Sequence, residues 1–342
     1  MENKTINFAA VGLAHTHIYG MCQGLIDAGA KLKYVYDDDK NLIAEFTKNF
    51  PNVQICNDLE EILKDDSVRL IASADIPSNR ANLATICMTS GKDFFVDKAP
   101  FINEKDYERI KTTIDKTQRK YFVFYSESIA NEVTLYAYNL IKSGKIGKVF
   151  HIEGIAPHRL NTVIRPKWFF SKKDTGGIIT DLGCQQIHQF LKICNTTDVT
   201  VESARVKNNN NQLYTSFEDY GDFTLTADNG ITGYFRVDWS SPDGLGAWGD
   251  IRLIIEGSKG HIELRKNCNL GFDNQPNHIF IVTEDGIEHE IVSENGDITL
   301  FSDIISDCLN RTDKASELKI DLITALLAIK AQNIAEEWEK IL

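Results

Sequence analysis

The chain reads as an α/β half followed by an α+β half: a Rossmann-type, doubly wound parallel sheet at the amino terminus, then a domain with a large, mainly antiparallel sheet. Three observations predict this. Apolar strand-like runs alternate with amphipathic helical stretches over roughly the first 125 residues. A short apolar run closed by Gly12 feeds a helix at the very start. Beyond residue 125 the pattern changes to β-branched, alternating stretches that follow one another directly.

Residues 6–12, Ile-Asn-Phe-Ala-Ala-Val-Gly, have the continuous apolar character of a central parallel strand. A helix is expected over 17–28, stopped by Gly29, and a second strand over 32–36 runs into Asp37, Asp38 and Asp39. The alternation continues through helix 41–49, strand 53–55, helix 59–64, strand 68–72, helix 79–90, strand 93–96, helix 104–117 and strand 121–125. These limits give a dinucleotide-binding domain over 1–125 and a substrate-binding and oligomerisation domain over 126–342. The second half opens with a helix over 132–142 and a Gly144/Gly147 turn. Strands are expected over 148–157, 199–207, 222–227, 232–239, 251–256 and 261–265. A helix over 178–194 interrupts them, 208–211 is a polar loop, and an amphipathic helix over 318–342 ends the chain, with Leu322, Ala325, Leu326, Ile329 and Ile334 on one side.

Bulk properties narrow the classes. At 342 residues the chain exceeds one ordinary core, and 42% hydrophobic with 25% charged residues is an ordinary globular balance. A net charge of −12, with no basic run, argues against nucleic acid as partner. Seven cysteines, odd in number and never spaced as C-x-x-C, read as buried thiols in a reducing compartment. With neither signal peptide nor membrane span in view, a cytoplasmic location and no membrane partner are expected.

Chemistry concentrates at two places in the first half. The loop Gly12, Leu13, Ala14, His15, Thr16, His17 stands between a strand and a helix, where glycine permits a tight turn and helix N–H groups face phosphates. It keeps one glycine of G-x-G-x-x-G, with Ala14 and His17 in place of the others. Asp37, 25 residues after Gly12, stands where a carboxylate holds the ribose hydroxyls of NAD, and the neighbouring acids would repel the extra phosphate of NADP. The second place is Asp97, Lys98, Ala99, Pro100, released where an apolar strand ends and where α/β proteins place their sites.

With these motifs in order, the chain resembles the Gfo/Idh/MocA family of oxidoreductases over nearly its whole length. Val96 to Pro100 is similar to the family's E-K-P segment, Ser143 to Gly147 to its S-G-x-I-G turn, and Gly176, Gly177, Asp181 and Gly183 to its G-G-x-x-x-D-x-G helix start. Three departures stand out: Asp97 replaces the glutamate with the proline displaced by one, the T-P-x-x-x-H segment reads Asp75 to Arg80, and the histidine of D-x-G-x-H is Gln185. The resemblance implies NAD as cofactor, with Ala74 and Pro77 joining Gly12, Leu13, Ala14, His15, His17, Asp37, Asp97 and Lys98 around it. It also implies a sugar, polyol or cyclitol substrate and a homodimer or homotetramer formed through the outer face of the second sheet.

In such an enzyme a base takes the hydroxyl proton as hydride leaves the same carbon, and Lys98 matches the lysine given that work. Asp181 would orient the substrate, and the missing base would be His188, on the same helical face as Asp181, or His158 after a strand. Arg159 is a candidate for a substrate carboxylate or phosphate unless a surface acid takes it. Gln185, Trp168, Trp239 and Trp248 are candidate sugar contacts. No metal is expected, because no H-x-x-x-H or cysteine cluster is present. Two further readings remain: NAD-assisted cleavage of a glycosidic bond, and a dinucleotide sensor without catalysis.

Overall fold

A computed structural model describes residues 5–271, 275–293, 298–315 and 317–339; the last three residues of the helix expected over 318–342 lie outside them. The chain divides into two compact units, Met1–Phe124 with Thr299–Leu322, and Tyr125–Ile298 with Ile323–Leu342.

The first unit runs β1 (Asn7–Val11), α1 (His17–Asp27), β2 (Lys31–Tyr36), α2 (Lys40–Asn49), β3 (Gln54–Ile55), α3 (Leu59–Lys64), β4 (Val68–Ser73), α4 (Pro77–Thr89), β5 (Asp93–Asp97), α5 (Glu104–Thr117) and β6 (Tyr121–Phe124). Its six strands are all parallel, in the order β3-β2-β1-β4-β5-β6, and the order reverses between β1 and β4. Every residue of β5 is buried, which a strand covered on both faces requires and which explains its unbroken apolar run. Phe94 and Phe95, both fully buried, each contribute roughly 1.5–3 kcal/mol of transfer free energy. Asp39, Asp58 and Asn103 cap α2, α3 and α5 by accepting from backbone N–H groups of the first turn, so these helices start where a short polar side chain satisfies an orphan donor.

The second unit carries α6 (Ser126–Ile129), α7 (Glu132–Lys142), β7 (Val149–Pro157), α8 (Lys172–Thr175), α9 (Cys184–Cys194), β8 (Val199–Lys207), β9 (Tyr220–Ala227), β10 (Thr232–Asp238), β11 (Arg252–Gly257), β12 (Gly260–Arg265), β13 (His278–Thr283) and β14 (Gly286–Ile291). The eight strands form one sheet in the order β14-β13-β12-β11-β7-β10-β9-β8, with β7 and β10 parallel and the other pairs antiparallel. The alternating burial of β7 and β10 reproduces their sequence alternation. The fold class is therefore a Rossmann-like parallel sheet followed by a large, mostly antiparallel one.

After β14 come α10 (Leu300–Asn310) and α11 (Leu318–Glu339). The sequence reading places a single boundary near Tyr125 and no helix at α10, whereas the structure returns residues 299–322 to the first unit. The physical cause is packing: a side chain at Gly24 of α1 would come within 2.3 Å of the Phe301 ring, and Arg311 reaches Asp93 at 2.6 Å. Strands β13 and β14 also go beyond the sequence reading, and every residue of β14 is exposed. The expected helix over 178–194 is not uniform either. It opens with a wide π-type turn, Ile179–Gly183, before α9, so the spacing that puts 181, 185 and 188 on one α-helical face does not hold through this turn. No helix among the described residues is long and apolar enough to cross a membrane.

Candidate active site

In the first unit, β1 ends in a loop whose shape glycine dictates. Gly12 has φ +75°, and a Cβ there would lie 2.6 Å from Cβ of Asp75 and 3.1 Å from the Ser73 hydroxyl. Backbone bonds tie this loop to both flanking strand ends: Gly12 N–H donates to Tyr36 O at 3.1 Å, Ala74 N–H to Gly12 O at 3.0 Å, and His15 N–H to Ala74 O at 2.8 Å. Asp37 accepts from Leu13 N–H at 2.7 Å and from Asp39 N–H at 2.8 Å. Burial raises its pKa even so, as the backbone donors only partly offset the desolvation. One acceptor bond per oxygen leaves each able to take a ribose hydroxyl. Pro77 opens α4, whose first turn follows the Ala74–Ile76 connection.

Asp97 is the hub of this site. It is fully buried, and His15 Nδ1 lies 3.1 Å and His17 Nδ1 2.7 Å from its two carboxylate oxygens, while Arg80 Nη2 donates at 3.0 Å. Burial would raise the Asp97 carboxyl, but His17, Arg80 and His15 outweigh it and hold the group well below its ordinary value. The carboxylate faces Nδ1 of both rings, and the His17 backbone N–H also donates to His15 Nδ1 at 3.3 Å, which ties the loop to the strand end. Burial, then the neighbouring His17, lowers His15 to about 4, so it is neutral at physiological pH.

Arg80 does more than pair. Its Nε donates to Asp75 O at 2.7 Å, and Nη1 reaches the carbonyls of Asp97 at 3.1 Å, of Lys98, and of Ala99 at 3.0 Å. One guanidinium thereby clamps the strand end that presents Lys98, a segment whose Lys98–Ala99 peptide is cis. Lys98 itself is only 6% exposed. Reading Arg80 merely as a departure from a motif misses this role; the signal in the sequence is an arginine three residues into a helix opened by Pro77.

Among the described residues, His15, His17 and Asp97 have the form of a metal-ligand set, their ligand atoms within 4.8 Å of one another. The Arg80 guanidinium on the same carboxylate supplies the positive charge there. Elsewhere, His188 Nδ1 meets the Ser128 hydroxyl at 2.7 Å and His158 Nδ1 donates to Ala156 O at 2.9 Å.

In the second unit the end of β7 carries a different group. His158 is buried, its N–H donates to Asp238 O at 2.7 Å, and its ring lies edge-on to Trp239 at 5.5 Å and Trp248 at 5.9 Å. Ala156 O can only accept, so His158 Nδ1 carries the proton of that bond, and Nε2 faces Glu127 Oε1 at 3.5 Å. His188, by contrast, is 1% exposed and stacked on Tyr125 at 4.5 Å, bonded to a serine that also meets Tyr138 at 2.8 Å. Asp181, in the wide turn before α9, lines a small cleft with Phe169, Lys172 and Trp239. Gln185 donates to Ser126 at 3.1 Å and keeps a buried carbonyl oxygen without a partner. Arg159 Nε lies 3.4 Å from the carboxylate of the exposed Asp243, and is itself buried without a hydrogen-bond partner. Trp168 is half-buried and sits edge-on to Phe169 at 6.1 Å. A cationic residue the sequence reading passes over, Arg165, lies among Phe169, Trp239 and Trp248.

Comparison with known proteins places this architecture. Residues 134–263 match the model of the GFO/IDH/MocA C-terminal domain. A crystal structure of a protein assigned as an oxidoreductase, from Erwinia carotovora atroseptica, is 40% identical and superimposes with a TM-score of 0.94, covering 97% of this chain and 99% of that one. A levoglucosan dehydrogenase solved with NADH and levoglucosan shares the fold with a TM-score of 0.83 at 13% identity, covering 98% of both chains. A 1-carboxy-3-chloro-3,4-dihydroxycyclohexa-1,5-diene dehydrogenase of Comamonas testosteroni is 23% identical over 150 residues, 44% of this chain and 38% of that protein's length. With two-domain topology, loop, strand end and whole-chain similarity in agreement, the chain belongs to the GFO/IDH/MocA family of oxidoreductases.

Proposed function

We propose that this oxidoreductase is an NAD-dependent dehydrogenase of a secondary alcohol on a sugar, polyol or cyclitol. The observation that carries the reading is the Asp97–Lys98 strand end, buried, clamped by Arg80 and bonded through Asp97 to a glycine-hinged loop. Gly12 lets backbone approach a pyrophosphate, Asp37 takes the adenosine ribose hydroxyls, and the acids at 37–39 disfavour a 2′-phosphate. NAD, when bound, accepts the hydride. Lys98 holds or receives the hydroxyl proton, and among the two histidines His158 is the better base, because its Nδ1 is committed to Ala156 O and a proton taken on Nε2 would be stabilised by the Glu127 carboxylate beside it. Asp181 and the unpartnered oxygen of Gln185 offer acceptors to substrate hydroxyls, and Trp239 an aromatic face to a sugar ring. Support also comes from relatives whose names state a sugar with NADH and a dihydroxylated ring. Assembly as a homodimer or homotetramer belongs to the same proposal.

The test is NADH formation over a panel of sugars, polyols and cyclitols. Lys98→Ala is expected to lower kcat by about 10²–10⁴-fold with NAD binding retained. His158→Ala should remove one limb of the pH–rate profile, whereas His188→Ala should act on stability and leave the profile's shape intact. Near-normal turnover in Lys98→Ala refutes the assignment, and NAD binding with no turnover on any alcohol favours the sensor.

A further inference from the structure

We infer that the substrate carries a carboxylate and that Arg165 receives it, an inference that rests on the dehydrogenase reading and narrows its substrate class to acidic sugars or polyols. The guanidinium carbon of Arg165 lies 4.3 Å from the centroid of the Phe169 ring, 5.1 Å from that of Trp239 and 5.3 Å from that of Trp248. Three rings and one backbone bond, from Nε to Leu160 O at 3.0 Å, hold the plane of the fork. Its Nη2 is buried without a hydrogen-bond partner. A buried, unpaired donor on a charged group is costly, more so than a neutral one, and a ligand atom that completes it would offset that cost.

The surroundings say which ligand. Phe169 and Trp239, the rings flanking the guanidinium, also line the cleft that holds Asp181. His158, the proposed base, is edge-on to Trp239 and Trp248. An anionic group on Arg165 would therefore lie next to the aromatic faces offered to a sugar ring and near the groups offered to its hydroxyls. The loop bearing Trp248 is held in place by close approach: Gly249 would bring a Cβ within 1.8 Å of Pro157 O, and Arg159 N–H donates to Trp248 O at 2.9 Å. The other nearby cation of the cleft, Lys172, is already paired with Glu218 and Glu336, both at 3.3 Å. One planar fork, with its neighbouring lysine neutralised and Asp181 close enough for its charge to be felt, suits a planar monoanion rather than a phosphate dianion. Arg159, the residue that the sequence alone offers for this work, has the exposed Asp243 carboxylate 3.4 Å from its Nε and none of the three rings around its guanidinium.

The experiment is calorimetric titration of the full chain saturated with NAD, using matched pairs: D-glucuronate against D-glucose, D-galacturonate against D-galactose, and D-glucose 6-phosphate as the phosphate arm. NADH formation is followed on the same ligands. At least one acid is expected to bind about 10–100-fold more tightly than its neutral partner, the worth of a charge-assisted pair. Arg165→Met and Arg165→Lys, each checked by circular dichroism, should erase that ratio, the lysine because it lacks the fork. Equal affinity within every pair, no binding of either acid, tighter binding of the phosphate, or an acid preference that survives Arg165→Met overturns the inference. Acid binding without NADH leaves the anion site standing and removes the dehydrogenase reading. NADH from neutral sugars without acid preference does the reverse.

Discussion

At the scale of single residues, the first unit's site is organised by one buried carboxylate. Asp97 gathers His15, His17 and Arg80, and the same arginine holds the carbonyls on either side of Lys98. Acid stability depends on this cluster. Burial holds His15 at about 4, against 6.5 for the unperturbed group. Between these values the unfolded chain binds a proton that the folded one does not, so stability rises with pH across that window and is lost as pH falls through it. The swing is at most about 3 kcal/mol. Asp97 adds its own acid loss only at lower pH, because its folded pKa is depressed below the carboxylate range. From pH 7 to 4.5 the urea midpoint should fall further in the native chain than in His15→Gln; equal losses in both would contradict the assignment. Gly12, Asp37, Lys98 and Trp239 are legible in the sequence because each stands at a strand end whose position follows from a local apolar run. Arg80 and Arg165 are not, since a guanidinium's partners are carbonyls and rings that only the folded chain assembles.

At the scale of elements, the helix holding Asp181 shows how a local exception alters a site. Its opening π-type turn shifts Asp181 out of α-helical phase with Gln185 and His188. Gly183 closes that turn, and a Cβ there would meet Ile179 Cγ2 and Phe223 Cε1, both at 2.9 Å. Alanine would recover about 1 kcal/mol of helix propensity but overpack two fully buried side chains, which costs typically about 1–3 kcal/mol. Gly183→Ala is therefore expected to lower the urea midpoint by the equivalent of about 1 kcal/mol; an unchanged or raised midpoint would show that the turn relaxes. Strands and helices with strong periodicity are legible in the sequence. β14 is not, because an all-exposed strand has no buried face to imprint alternation, and neither is α10, which directly follows a polar stretch without a cap bond at Thr299.

At the scale of the whole molecule, cofactor choice and cofactor-linked stability are the measurable outcomes. If Asp37 to Asp39 select against a 2′-phosphate, NAD at about 100 times its Kd stabilises the protein by about 2.7 kcal/mol. NADP at equal concentration should raise the melting temperature less, and a larger shift with NADP would refute the selectivity. The sequence by itself determined the two-part architecture, the glycine loop, the acid after β2 and the lysine after β5, because hydrophobic period and turn chemistry act over neighbouring residues. Tertiary structure alone decided that residues 299–322 return to the first unit, that Arg80 clamps the lysine segment, and that Arg165 stands among aromatic rings. These are contacts between residues far apart in the chain, set by which surfaces pack together, and no local pattern encodes them.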